Sequence, residues 1–404
     1  MGARRDRYDL LIIGGGIAGS ALGRAMAQNG VHVLIVERET VFRDRIRGEV
    51  LLPWGSVEAK ALGLYDLLLS ECAREAPREI FYRSGRPGPA REFLSSTPQG
   101  TCVLSFYHPM MQEALAAGAT SAGAEVWRGA ILRQIRAGET PEADVAIDGR
   151  VETVRARLIV GADGRESSVA THMGLPKEKT PQELFTTGLQ LAGDLPLEPA
   201  LYFFLHGVSG RGSILVQNNP RNYRIYLLHH KDALTRRLAG ERDYPAALDH
   251  FRQIGVPAAW LEAATPHGIL ATFDGAFRWV TLPARGNCVL VGDAAGCTDP
   301  VWGNGLSRTL RDVRLLRDRL LNDRNWDAAA TAYAGDHDDF FHRLRRAEQL
   351  NTTLSFSMGE EAEARRDRAF SLMERSPEFY PDVPGLGPEA RCDERIERTL
   401  LELH

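Results

Sequence analysis

Gly14, Gly16 and Gly19 stand in the spacing Gly-x-Gly-x-x-Gly, directly after the apolar run Leu10-Leu11-Ile12-Ile13. Glycines in that place serve a phosphate. The first makes the tight turn, the second admits backbone against a pyrophosphate, and the third lets a helix pack on the strand. Ile17 and Ala18 open the helix that follows, whose N-terminal N–H groups point at the anion. Glu37 follows a second apolar run and can accept from both hydroxyls of a ribose. Its charge disfavours a 2′-phosphate, although Arg38 beside it offers a cation to one. The chemistry is that of dinucleotide binding.

Positioning these groups requires a βαβ unit. Residues 8–13 form an apolar run suited to a strand buried on both faces. Ala21, Leu22, Ala25 and Met26 recur at helical spacing, Gly30 stops that helix, and Val31 to Val36 supplies the second strand. Further along, residues 109–122 read as a helix and Glu125 to Ile135 as one strand, while Asp148-Gly149 marks a hairpin. Strands at 201–204, 213–216 and 223–228, separated by Gly, Asn and Pro, read as antiparallel. Val289-Leu290-Val291 returns to the buried-strand style, a helix begins near Gly305, and residues from about 327 onward are helical and charged.

The whole chain sets bounds on partners. Its 404 residues are 44% hydrophobic and 25% charged, with a formal net charge of −4, which offers no attraction to nucleic acid or an anionic bilayer. No run approaches the about 20 apolar residues of a membrane span. The charged N-terminus followed at once by glycines does not resemble a secretion signal. Five cysteines without CxxC pairing or metal-ligand spacing read as reduced thiols, so the cytoplasm is the expected address.

Two later segments complete a set with the first: Leu158-Ile159-Val160-Gly161-Ala162-Asp163-Gly164-Arg165, and Val289-Leu290-Val291-Gly292-Asp293-Ala294-Ala295-Gly296 continuing through Asp299-Pro300-Val301-Trp302-Gly303-Asn304-Gly305-Leu306. In this order and spacing, over residues 8–320, the three motifs resemble the p-hydroxybenzoate hydroxylase superfamily, the group A FAD-dependent monooxygenases and their kin. The resemblance implies an α/β fold, with a Rossmann-like FAD/NAD(P)-binding domain, an inserted β-rich substrate domain and a helical C-terminal region. Residues 1–77, 101–180 and 281–330 would form the first, 78–100 and 181–280 the second, and 331–404 the third.

It also implies site roles. Asp293, at the end of a buried strand, would hold a ribityl hydroxyl, with Gly292 before it, and Pro300 would lie against the isoalloxazine. Gly303, Asn304, Gly305 and Leu306 open a helix whose N–H groups would face the electron-rich edge of a reduced flavin. Asp163 would serve both FAD and the passing nicotinamide, although Asp-Gly alone is an ordinary turn. Arg45 and Arg47 fall on the family's arginine loop, Arg47 being the better candidate, and Leu132 falls where a strand backbone touches adenine. The chain departs from the family pattern at Met110 and Met111, at Ala170 and at Gly296, where arginine, arginine and histidine are usual.

The implied reaction has NAD(P)H reduce FAD and leave, since only one glycine-rich nucleotide motif is present. Dioxygen then adds at flavin C4a, and one oxygen passes to an electron-rich small molecule, aromatic or polyketide-like. A reductase of isoprenoid-type alkenes is the nearest alternative, since Asp299-Pro300 resembles the halogenase and reductase form of the motif more than the hydroxylase form. A cyclase with non-redox FAD is a third. A halogenase is disfavoured, because no Trp-x-Trp-x-Ile-Pro segment occurs and Lys60 is the only lysine in the first 170 residues. The substrate is expected between the flavin and residues 185–275. There Tyr202, Phe203, Phe204, Tyr223 and Tyr226 offer walls, of which strand alternation would turn only one or two inward. Trp54, Glu49 and Trp302 could border the flavin, and His206, His229 and His230 are candidate acids or bases, each more often an ordinary hydrogen-bonded histidine.

Overall fold

In the computed structural model, which describes residues 7–402, Arg7–Ile13 is the middle strand of a parallel array. Leu10 to Ile13 are all buried because both faces of the strand are covered. On one side Ile13 lies opposite Val36 of Val33–Glu37, and Glu125–Arg128 follows outside that. On the other side Ile13 lies opposite Gly161 of Arg150–Gly161, whose far edge pairs with Cys288–Leu290. The five strands run in one direction, so their carboxyl ends reach one edge together.

The helices Ile17–Ala27 and Gly305–Asn322 contribute to one core with the Leu10, Ile12 and Ile35 side of the sheet. The first helix approaches closely: a Cβ on Gly23 would lie 2.5 Å from Ile35 Cδ1, so a side chain there would have to displace the Ile35 tip. The expected single strand 125–135 is two. Gly129, with φ of 71°, turns the chain, so that Glu125–Arg128 stays in the parallel array while Ile131–Arg136 pairs antiparallel with Glu142–Ile147. The hairpin at Asp148-Gly149 forms as expected, with φ of 50° and 74° matching the twist of its strands. The Rossmann-like α/β class is borne out.

A second sheet of eight strands is antiparallel but for one pairing. Its order runs Ala264–Asp274, Leu184–Gly193, Asn222–His230, Arg211–Asn219, Ala200–His206, Arg78–Arg83 and Arg86–Pro87, and Arg91–Glu92 also pairs with Arg78–Arg83. Arg78–Arg83 joins parallel to Ala200–His206, with Phe81 opposite Phe203. Alternation sets the faces. Tyr202, Phe204, Tyr223 and Ile225 pack with Phe251 and Trp260, whereas Leu201, Phe203, Ile214 and Tyr226 pack with Trp302, Phe356 and Trp54. The helix Trp326–Phe356 serves two cores, Ala329, Ala330 and Tyr333 in the parallel-sheet core and Leu344 and Ala347 in the one beneath the second sheet. No helix among the described residues is long and apolar enough to cross a membrane.

Candidate functional site

The carboxyl edge of the parallel array opens into a cleft of about 470 Å³. Ile13 and Gly14, Val36 and Glu37, Ala162 and Asp163 each leave a neighbouring strand and line it, and Asp293 lines it just beyond Cys288–Leu290. Crevices for dinucleotides form at such strand ends. Gly16, Ile17 and Ala18 form its floor at the start of helix Ile17–Ala27. The three glycines are needed for different reasons. A Cβ on Gly14 (φ 105°) would lie 2.4 Å from Ala162 O, and one on Gly19 would lie 1.9 Å from Gly14 O. A Cβ on Gly16 would meet only Gln112 Nε2 at 3.8 Å, so the hollow above that backbone is open to a ligand. Gly19 itself lies beneath the cleft, where the turn packs on the helix.

At one end, Glu37 is held by backbone: Gly15 N donates to Oε2 at 2.7 Å and Glu39 N to Oε1 at 2.7 Å. One lone pair on each oxygen remains for a ligand hydroxyl. Arg38, Leu132 and Arg47 line the same cleft. Arg38 and Arg45 both pair with Glu39, at 3.4 and 2.6 Å. The Arg47 backbone carbonyl accepts from Tyr226 Oη at 2.7 Å, which ties the arginine loop to the second sheet. Beneath that loop Glu49 is buried, not at the cleft. It accepts from Arg224 Nε and Nη2 at 3.1 and 3.0 Å and from Asn218 Nδ2 at 2.6 Å.

At the other end, Pro300, Gly303, Gly305 and Leu306 border the cleft, together with Phe273 of the second sheet and Thr298. Asn304 is turned away: its side chain accepts from Trp54 Nε1 at 3.0 Å and donates to buried Glu348 at 2.7 Å. Burial pushes the Glu348 carboxyl well up, and Asp299 up to about 7. Gly292 (φ 62°) lies under the cleft, where a Cβ would sit 3.0 Å from Ala18 Cβ. Asp163 Oδ2 caps the following helix, accepting from Ser168 N and Oγ at 2.6 and 2.7 Å, whereas its buried Oδ1 has no partner among the described residues.

Trp54 and Trp302 belong to the core beside the site. Gly387 packs on the Trp54 indole, and Trp302 stacks on Phe203 with centroids 6.2 Å apart. Of the five wall aromatics, Phe203 and Tyr226 face this side of the sheet. The three candidate histidines fall outside the cleft: His206 bonds Ser209, His229 stacks on Phe185, and His230 meets Glu183. His108 is the histidine that lines it. Burial pushes its pKa down to about 4, and the Gly48 carbonyl at 2.8 Å takes Nδ1–H, so the neutral ring leaves Nε2 as an acceptor. His108, Gln112, Arg165 and Thr298 were not foreseen. The Met110-Met111 departure, two residues after His108 and directly before Gln112, was the available signal for the first two. Gly296 has a packing reason, since a Cβ there would lie 2.9 Å from Phe341 of the long C-terminal helix. Among the described residues no group of three or more His, Cys, Asp or Glu side chains is placed to hold a metal ion.

A parallel sheet with a glycine-rich turn, a second antiparallel sheet and a cleft at the strand ends reaching both together give the chain the fold of FAD-binding monooxygenases. The family model described as "FAD binding domain" matches residues 7–331, and the chain belongs to that family. It is similar to 6-methylpretetramide 4-monooxygenase of Streptomyces rimosus, 26% identical over 92% of this chain and 90% of that one. It is also similar to squalene monooxygenase of Mus musculus, 26% identical over 78% of this chain but only 55% of that protein's length. In fold it resembles p-nitrophenol 4-monooxygenase PnpA from Pseudomonas putida DLL-E4, with a TM-score of 0.79 over 98% of both chains at 17% identity. These matches support its place in the family of group A FAD-dependent monooxygenases.

Proposed function

We propose that the cleft holds FAD along its length and that the protein oxygenates an electron-rich aromatic or polyketide-like molecule, with NAD(P)H as a transient reductant. The observation that carries the first part is the open hollow above Gly16 at a helix N-terminus, in the same cleft that Glu37 and Pro300 line. Gly14, Gly16, Ile17 and Ala18 would hold the pyrophosphate, Glu37 the adenosine ribose and Leu132 the adenine edge. Arg38 and Arg47 would supply cations beside the phosphates, and Asp163 and Asp293 would hold the hydroxyl-bearing middle of the cofactor. Pro300 and the backbone of Gly303–Leu306 would border the isoalloxazine. Gly19, Gly292 and Asn304 act from beneath, by fixing those backbones.

Bound FAD supplies two-electron transfer from the nicotinamide and the activation of dioxygen for insertion into the substrate. The chain's own part is electrostatic and steric. The helix Gly305–Asn322 directs its N-terminus at the Pro300 end of the cleft and stabilises negative charge there. Phe273 gives the cleft an apolar wall that keeps water out, and the Phe203–Trp302 stack packs in the core beside it. His108, neutral at pH 7, holds its proton on Nδ1 and offers Nε2 as an acceptor. The aromatic substrate class draws support from that wall and from the relative whose named substrate is a pretetramide.

Anaerobic mixing of the holoprotein with NADH or NADPH, with and without a panel of phenols, tests this reading. Flavin bleaching accelerated by a phenol is expected. Reduction indifferent to every phenol, with electrons delivered to an alkene in the absence of oxygen, would replace the monooxygenase by a reductase. Turnover with the flavin left oxidised would replace it by a cyclase.

A further inference from the structure

We infer that Arg308 is a positioning residue of the flavin site: its buried guanidinium holds the Asp293 carboxylate at the cleft, and Asp312 with His337 holds Arg308. The inference rests on the assignment of Asp293 to the cofactor. Arg308 lies on helix Gly305–Asn322, one turn in, and is fully buried. A guanidinium out of water is costly unless it is paired. Here its fork spans two carboxylates, with Nη2 donating to Asp293 Oδ1 at 2.9 Å and Nη1 to Asp312 Oδ2 at 3.0 Å. Asp293 remains 34% exposed, and Oδ2 has no protein partner among the described residues. Arg308 therefore fixes one oxygen of Asp293 and leaves the other for a ligand.

Asp312 anchors the arrangement twice. Its Oδ2 also accepts from Gly292 N at 3.0 Å, the residue just before Asp293, and its Oδ1 faces His337 Nδ1 at 2.7 Å. The Asp293 backbone and side chain are thus tied to one buried carboxylate, the side chain through Arg308. His337 lies on helix Trp326–Phe356, beyond residue 331 where the family match ends. It is held in place by stacking on Phe341 at 5.5 Å, the ring that also covers Gly296. The C-terminal helix, outside the three sequence motifs, so reaches the flavin site through side chains that span two carboxylates. Lysine could not copy this, because its ammonium is a point donor and the fork is planar and fixed.

The test is a double-mutant cycle read as the Kd for FAD, by quenching of flavin fluorescence on deflavinated protein. Arg308→Gln is expected to weaken FAD about tenfold, as loss of the group that orients a ligand typically does. In an Asp293→Ala background the same change is expected to be nearly silent, because its route is gone. Equal factors in the two backgrounds would overturn the inference and leave Arg308 a merely structural residue. Asp293→Ala without effect on FAD would instead refute the assignment of Asp293, and the inference with it. Arg308→Lys keeps the charge in the same cavity and serves the cycle if the glutamine variant does not fold. It is expected to weaken FAD as well, again only when Asp293 is present.

Discussion

Gly16→Val separates the binding of the cofactor from the building of the fold. Gly16 has ordinary backbone angles for an L-residue (φ −69°, ψ −162°), and an added Cβ meets nothing closer than Gln112 Nε2 at 3.8 Å. The folded apo-protein should accept the side chain. Loss of glycine at a helix N-cap costs about 1 kcal/mol or less, a Tm shift of roughly 2–4 °C or less in a chain of this size. The branched side chain would, however, occupy the hollow where the pyrophosphate is proposed to lie. Backbone N–H bonds to an anion contribute about 1.5–3 kcal/mol each, so displacing it by one such contact or two costs about 3 kcal/mol, roughly a 100-fold rise in the Kd for FAD. Flavin-fluorescence titration and thermal melting of the apo-protein read the two quantities separately. Unchanged FAD affinity in Gly16→Val would refute the placement of the pyrophosphate. Gly14→Ala is the contrast: with φ of 105° and a Cβ 2.4 Å from Ala162 O, it should damage the fold itself.

Other perturbations follow from the same packing. Arg224→Met leaves Glu49 buried without its cation and should cost about 3–5 kcal/mol in urea unfolding, while adding Glu49→Met should recover part of that loss. An unaltered midpoint in the single variant would contradict the ion pair. Gly296→Ala should destabilise by about 1–3 kcal/mol through its contact with Phe341, and Phe341→Leu in the same chain should relieve it; additive losses would mean the contact is not the cause. Burial holds the His229 pKa down at about 4, below the unfolded value, so the unfolded chain binds the extra proton between those values. Stability is then full above about pH 6.5 and falls as pH drops towards 4, by up to about 3 kcal/mol from this residue. His229→Phe should flatten that part of the stability–pH curve, and an unchanged slope would show the histidine to be accessible.

The parts legible in the sequence are those whose causes are local. Three glycines between two apolar runs, an acidic residue after the second, and Asp148-Gly149 between alternating strands each fix their own backbone within a few residues. What escaped depended on the phase or partner that only the fold supplies. Strand alternation told that neighbouring aromatics part company, but not that Phe203 rather than Tyr202 faces Trp302. Gly129 looked like one residue of a strand and is the corner between two. Glu49 and Arg224 are 175 residues apart, and nothing in either neighbourhood announces the other. Asn304, apparently a cleft residue by its glycine neighbours, has its side chain claimed by Trp54 and Glu348. The departure at Gly296 made sense only once Phe341, on a helix with no motif of its own, was seen against it.

The central claim is that this cleft turns reducing equivalents and dioxygen into an oxygenated product. Turnover of the holoprotein under ¹⁸O₂ with NAD(P)H and the phenol that most accelerates flavin reduction, followed by mass spectrometry of the product, tests it directly. One ¹⁸O atom per product, with one NAD(P)H consumed, is the predicted result. A product formed without label, or formed equally well without oxygen, would contradict it.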